Sequence, residues 1–208
     1  MNLIFIVSSP TGVGKTTICN METQRNKSIG RVITHTTRKA RENEKHGKDY
    51  YFVSKEEFER GLKREEFVEY AVVHGYYYGT SKKALNEVLE KGKDALLAID
   101  VQGAKNVMNQ LNNVVSIFML PPSFDDWLDR IKRDNVRKDV ENRLKTAVYE
   151  FGFALNFDFC IINDDIDKTL NRLESIIESQ HNKMSFVEAE RMELIEKLKK
   201  ETIKYLKE

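Results

Sequence analysis

Leu3-Ile4-Phe5-Ile6-Val7 is an unbroken run of five apolar residues, three of them β-branched, close to the start of the chain. Apolar stretches recur at Ala95–Ile99, Val114–Leu120 and Phe157–Ile162. Runs of this length and composition suit strands buried on both faces, as in a parallel sheet. Between them the apolar period lengthens. Thr16 to about Asn26, Ser81 to Lys91, the segment holding Trp127, Leu128 and Ile131, a stretch ending near Leu155, and Ile166 to about Gln180 all read as helices. Ser54-Lys55-Glu56-Glu57 has the spacing of a capping box and opens a short helix to about Arg64. Ser81 and Ser123 are placed to cap, and Gly30 and Gly92 read as helix exits. Buried strands alternating with helices predict an α/β fold, a parallel sheet covered by helices.

Residues 34–80 follow another pattern. Arg31-Val32-Ile33-Thr34 reads as a short strand, Gly47–Val53 and Glu66–Val73 as two more, and Gly75–Thr80 as a tyrosine-rich turn. The segment is a strand-rich insertion within the helix-and-strand alternation. Beyond residue 181, Ser185–Glu188 repeats the capping-box spacing, and Met192, Ile195, Leu198, Tyr205 and Leu206 recur at roughly helical intervals. That predicts an added amphipathic helix, packed on its own core or paired with a second copy.

Bulk properties narrow the picture only a little. The 208 residues allow one well-buried domain with inserted lobes. Lys and Arg number 34 and Asp and Glu 33, so no bulk basic field points to nucleic acid. Cys19 and Cys160 lie far apart and read as small buried hydrophobes in a reducing compartment. The first apolar run is too short for a membrane span or signal core, which predicts a soluble cytoplasmic protein.

The chemistry begins where the first run ends. Ser9-Pro10-Thr11-Gly12-Val13-Gly14-Lys15-Thr16-Thr17 nearly fits the phosphate-binding pattern Gly-x-x-x-x-Gly-Lys-Ser/Thr, with Ser9 at the first glycine position. Glycines let successive N–H groups turn toward phosphate oxygens, and the following helix directs its positive end to the same place. Lys15 adds a cation for the outer phosphates, and the Thr16 hydroxyl is a ligand for Mg²⁺. Arg38 and Arg41, set among hydroxyls, are spaced to grip another phosphate or to form a solvated basic turn. Asp100 closes a buried strand, where ligands gather in open parallel sheets. Arg130, Lys132, Arg133, Arg137, Lys138 and Arg143 form the most basic region, either a solvated helical turn or a mobile lid.

Taken together, these residues resemble the guanylate kinase family over roughly residues 1–180. The likeness rests on the loop and, in order, on Thr36-Thr37-Arg38 with Arg41, Gly47–Ser54, Phe67-Val68-Glu69, Tyr77–Ser81, Ile99–Ala104, Pro121-Pro122-Ser123 and Ile162–Asp165. It implies phosphoryl transfer from MgATP to GMP, or to dGMP, with Mg²⁺ accompanying ATP. It also implies a core (1–33, 81–124 and 146–181), a GMP-binding lobe (34–80), a lid (125–145) and a C-terminal extension (182–208). Position by position, the resemblance assigns the GMP phosphate to Arg38, Arg41, Tyr50 and Tyr78. The guanine edge falls to Glu69 and Asp100, assisted by Thr34 and Thr80. ATP falls to residues Ser9 to Thr17 and to Asn163, which lies where the family approaches adenine. Lys15, Arg38, Arg130 and Arg143 carry the catalytic charge. The resemblance implies small-molecule partners only, with no nucleic acid and no membrane, in a monomer or a homodimer.

The chain departs from the family at several points. Ser9 replaces a glycine, Thr34 and Thr80 stand where serine is common, Ala98 replaces an acidic residue, and the lid is about two residues short, which shifts the register of Arg133 and Arg137. Two rivals are a phosphopeptide-gripping module like the family's scaffold domains and a kinase for another small acceptor. Lys15, Thr16 and the lid arginines disfavour the first, and Glu69 with Asp100 disfavours AMP in the second.

Overall fold

The computed structural model describes residues 2–73, 75–133, 140–183 and 189–205. The chain divides into two compact units, Asn2–Leu170 and Asn171–Glu208. In the first, strand β1 (Ile4–Ser8) runs into helix α1 (Lys15–Arg25) and strand β2 (Ile29–Arg31). Strands β3 (His35–Thr36) and β4 (Tyr51–Phe52), helix α2 (Lys55–Lys63) and strands β5 (Phe67–Val73) and β6 (Tyr76–Ser81) form the insertion. Helix α3 (Lys82–Leu89), strand β7 (Asp94–Ala98), helix α4 (Val101–Gln110) and strand β8 (Val114–Leu120) return to the main body. Helices α5 (Phe124–Arg133) and α6 (Val140–Gly152) and strand β9 (Phe159–Ile162) follow. Helix α7 (Ile166–His181) runs from the first unit into the second, which also holds helix α8 (Ala189–Tyr205).

The four apolar runs and β2 form a five-stranded sheet in the order β2-β7-β1-β8-β9, every pair parallel. β1 lies at its centre, with Val7 opposite Ala98 and Ser8 opposite Phe118. Phe5, Ile6, Leu96, Leu97, Ile117 and Phe118 are almost wholly buried, as strands covered on both faces must be. The α/β fold is therefore as the pattern predicts. The parallel arrangement brings the carboxyl ends of β1 and β7 side by side, so the glycine loop and Asp100 emerge together.

The insertion forms its own four-stranded sheet, β4-β3-β6-β5, mostly antiparallel. Behind it, the Phe58 ring stacks at 4.3 Å on Phe67 and at 5.0 Å on Tyr77. The Ser54 capping box is complete: Ser54 Oγ accepts from Glu57 N–H while Glu57 Oε2 accepts from Ser54 N–H.

Several local expectations need correction. Gly30 is no helix exit; it lies inside β2, where an added Cβ would come within 2.4 Å of Val88 Cγ1. The strand expected at 31–34 therefore sits two residues earlier. Tyr76–Ser81 is a strand rather than a turn, paired with β5 from Val73–Tyr76 onward. Of the strand expected at 47–53, only Tyr51–Phe52 pairs as one. Cys160 is exposed on β9, an edge strand, whereas Cys19 is buried and its thiol is pushed up to about 12 by burial. The expected cap at Ser185, Arg137 and Lys138 of the basic segment and Leu206 of the C-terminal stripe lie outside the described residues. Among the described residues no helix is long and apolar enough to cross a membrane.

Candidate active site

The loop after β1 is shaped by two glycines in the left-handed region, Gly12 at φ 84° and Gly14 at φ 106°. Both also sit against neighbours. A Cβ on Gly12 would lie 3.0 Å from Ile131 Cγ1 and one on Gly14 2.7 Å from Asn163 Nδ2. Ser9 needs no such freedom, since its φ is not positive and its hydroxyl donates to Pro10 O at 3.0 Å. A serine therefore fits where the loop pattern has glycine.

Three side chains hold the loop from outside. Trp127 Nε1 donates to Thr11 O at 2.8 Å, Asn163 Nδ2 to Val13 O at 2.6 Å, and Arg130 donates to Val13 O at 3.4 Å and to Asn163 O at 3.2 Å. Asn163 is 7 % exposed and accepts from Thr169 Oγ1 at 3.1 Å. Its amide is thus committed to the loop backbone. Lys15 Nζ donates to Ile99 O at 2.9 Å, which carries its ammonium across to the end of β7.

The insertion supplies the facing wall. Arg38 Nε donates to Tyr78 Oη at 3.2 Å, and its guanidinium lies 5.5 Å over the Tyr50 ring. Glu44 Oε1 accepts from Arg38 at 2.9 Å and lies 3.8 Å from Arg41, while its Oε2 accepts from Arg41 N–H at 2.9 Å. Although burial opposes the charge, these bonds to Arg38 and Arg41 hold the Glu44 carboxyl below its usual range. Burial pushes the Tyr50 phenol up.

Glu69 stands deeper, at an irregularity in the β5–β6 register, and accepts from Thr80 Oγ1 at 2.7 Å. Gly103 of α4 faces it so closely that a Cβ there would lie 2.4 Å from Glu69 Oε2. Burial pushes the Glu69 carboxyl up to about 7, against the Thr80 hydrogen bond and with help from the Asp100 charge. Asp100 caps α4, its Oδ1 accepting from Gln102 and Gly103 N–H at 2.7 and 3.1 Å.

Most of these groups line one cavity of about 1030 Å³. On one side are Ser9, Pro10, Thr11, Gly12, Gly14, Lys15, Thr16 and Thr17, with Arg130 and Arg143 beside them. On the other are Thr34, Arg38, Arg41, Tyr50, Glu69, Tyr78 and Asp100. Val13, Thr80 and Asn163 are not part of the lining: Val13 is buried in the core, Thr80 stands behind Glu69, and Asn163 stands behind the loop.

Glu42, Glu44, Asp49 and Glu150 also line the cavity and escape a reading by sequence, and two of them stand out. Glu44 looks like one more charge in a polar turn, although it falls three residues after Arg41. Glu150 looks like a solvent-facing helix residue, although it falls seven after Arg143 and so shares its helical stripe. Among the described residues no cluster of three or more His, Cys, Asp or Glu could hold a metal unaided. An Mg²⁺ at Thr16 would have to share its coordination with substrate phosphates and water.

Comparison with known proteins shows the family. The guanylate kinase family profile matches residues 1–180. The guanylate kinase of Neisseria gonorrhoeae is 42% identical over 184 residues, 88% of this chain and 90% of that protein. That of Polaromonas sp. is 40% identical over 184 residues, 88% of this chain and 89% of the relative. The crystal structure of guanylate kinase from Anaplasma phagocytophilum superposes with a TM-score of 0.74 at 36% identity, covering 88% of each chain. With a glycine loop, an arginine pair and a buried carboxylate around one cavity, and with these relatives, the chain belongs to the guanylate kinase family.

Proposed function

We propose that the cavity is a two-nucleotide site in which the γ-phosphoryl group of ATP passes directly to the phosphate of GMP, giving ADP and GDP. The single cavity carries this reading. Its loop wall offers backbone N–H groups, Lys15 and the N-terminus of α1, while its opposite wall offers Arg38, Arg41, Tyr50 and Tyr78 around a second anion position.

The acceptor base is selected by carboxylates. Guanine presents N1–H and an exocyclic amine, and Glu69 and Asp100 are acceptors only when ionised. Adenine lacks that pair of donors and would leave buried Glu69 with only its hydrogen bond from Thr80. Thr80 and Gly103 act through Glu69, one by a hydrogen bond and one by leaving space. Thr34 lines the same wall.

A GMP phosphate oxygen attacks γ-phosphorus as the bond to the β,γ-bridging oxygen breaks, and ADP departs with that electron pair. The acceptor oxygen is already anionic, so no strong general base is required. The residues position and neutralise: Lys15 and the loop amides hold the donor, Arg38 and Arg41 the acceptor, and Arg130 and Arg143 the charge between them. Magnesium bound with ATP would supply charge neutralisation of the phosphates, and Thr16 is the residue placed to ligate it. Asn163 and Val13 act on the donor side by shaping the loop rather than by lining the cavity.

The insertion 34–80 is assigned as the acceptor lobe, 125–145 as the lid and 182–208 as a C-terminal helical extension. A site built for free nucleotides, with no membrane-spanning helix among the described residues, fits a cytoplasmic enzyme. A coupled ADP-release assay tests the activity: GMP-dependent turnover with MgATP is expected, and its absence at high enzyme concentration would overturn the proposal.

A further inference from the structure

Helix α6 turns three buried positions inward, Arg143, Ala147 and Glu150. Their spacing of four and three residues is one helical stripe. Arg143 and Glu150 both line the cavity, but only the arginine has a role in the transfer described above. Glu150 is 7 % exposed, and among the described residues no hydrogen bond reaches its Oε2. Burial pushes its carboxyl up to about 7, with the Lys15 charge drawing it down and the Asp100 charge adding to the rise. A buried carboxylate oxygen without a partner is destabilising, so the free protein carries a group suited to some other state.

The cavity limits what that state can be. Donor phosphates over the loop and an acceptor phosphate at Arg38 bring several negative charges into the space that Glu150 faces. A carboxylate there repels them unless a cation lies between. Lys15 is nearby, but its ammonium already serves Ile99 O and the donor phosphates. A sugar hydroxyl would satisfy the hydrogen bond and leave the repulsion in place. A hydrated divalent cation meets both needs, because its charge offsets the repulsion and its water ligands are strong donors. Mg²⁺ gives up its waters reluctantly, so its protein partners are often reached through them. Ala98, on the same cavity wall, offers no polar group for that purpose.

We propose that Glu150 is a positioning residue for the metal: its carboxylate accepts hydrogen bonds from water ligands of the Mg²⁺ that accompanies ATP and is ligated by Thr16. The assignment rests on the kinase reading above. Outer partners of this kind hold the cation's orientation rather than its charge, and their loss weakens metal affinity by roughly 10- to 100-fold.

The test uses the full chain as wild type, Glu150→Gln and Glu150→Asp, with a non-hydrolysable ATP analogue and Mn²⁺ as a paramagnetic probe for Mg²⁺. For Glu150→Gln, Mn²⁺ affinity of the enzyme–analogue complex should fall about tenfold or more. Metal-free analogue affinity should hold or improve, GMP affinity should be unchanged, and the melting temperature should hold or rise. Glu150→Asp should recover part of the metal affinity. Unchanged Mn²⁺ affinity in Glu150→Gln would overturn the assignment alone. So would a loss of GMP affinity without metal, which would place the carboxylate on a sugar hydroxyl. Failure of the wild type to bind the analogue at all would overturn the kinase reading and this assignment with it.

Discussion

Glu44 Oε1 accepts from the Arg38 guanidinium at 2.9 Å, so the arginine proposed to hold the acceptor phosphate already has a carboxylate beside it. The same side chain closes the turn at Arg41 through its other oxygen. Glu44 thus fixes the direction of both cations before any nucleotide arrives. Glu44→Ala should weaken GMP binding by about 1.5–3 kcal/mol, the scale of hydrogen bonds to charged groups, while leaving ATP binding intact. Glu44→Gln, which keeps one acceptor for Arg38, should fall between. Titration of each nucleotide separately by calorimetry checks this, and an equal loss for both would count against it.

The Glu69 carboxyl, pushed up to about 7, gives GMP binding a proton inventory. Guanine's donors favour the carboxylate, so binding should release a proton near neutral pH, and affinity should climb between about pH 6 and 8. The GMP phosphate titrates in the same range, so the informative quantity is the difference from Glu69→Gln, which should release fewer protons. Calorimetry in buffers of contrasting ionisation enthalpy reads it directly.

Stability carries the opposite sign. The Glu69 carboxyl sits above the usual value of 4.5, so the folded chain holds more protons than the unfolded one between about pH 4.5 and 7. This contribution is complete below that window and is lost as pH rises through it. Urea unfolding at pH 5 and pH 8 should show a smaller difference in Glu69→Gln than in the wild type.

Gly103 is defined by what it leaves out. Adding one methyl group would drive a Cβ to 2.4 Å from Glu69 Oε2. Gly103→Ala should therefore raise the KM for GMP sharply while the KM for ATP stays near the wild-type value, because the loop wall does not touch α4 at that point. Steady-state kinetics varying each substrate in turn would show it.

Asn163 separates two ways of serving the donor. The Nδ2–Val13 O bond of 2.6 Å makes it a brace for the loop. Asn163→Ala should cost about 1–3 kcal/mol of stability and should weaken ATP and GTP as donors alike. A loss confined to ATP would instead indicate contact with the adenine base.

Much of this was legible in the residues. Runs such as Leu3–Val7 announce strands buried on both faces, and the loop motif marks which strand leads into the glycine loop. The capping serines at Ser54 and Ser81 behave as local rules require. What escaped depends on tertiary neighbours. Gly30 has the composition of a helix stop, but Val88 across the helix–sheet contact decides its role. Tyr76–Ser81 reads as a turn until β5 pairs with it, because a strand with one glycine before it and another inside it has little propensity of its own. Asn163 bears a side chain suited to a base edge, yet Val13 captures it. Glu150 is polar on a polar helix, and only the position of α6 reveals that its stripe faces inward.

The register of β1 has a consequence for how the molecule is made. Ile4 pairs with Ala95 on one side and Val114 on the other, so the first strand emerges from the ribosome long before either neighbour exists. The insertion sheet, whose partners lie between His35 and Ser81, closes its contacts first. Long-range parallel pairing is the slow step in such chains. The nucleotide loop therefore waits, unframed, until β8 has been synthesised. A released chain truncated after residue 90 should hold a protease-resistant insertion and a cleavable N-terminus, and protection of both at that length would argue against this order.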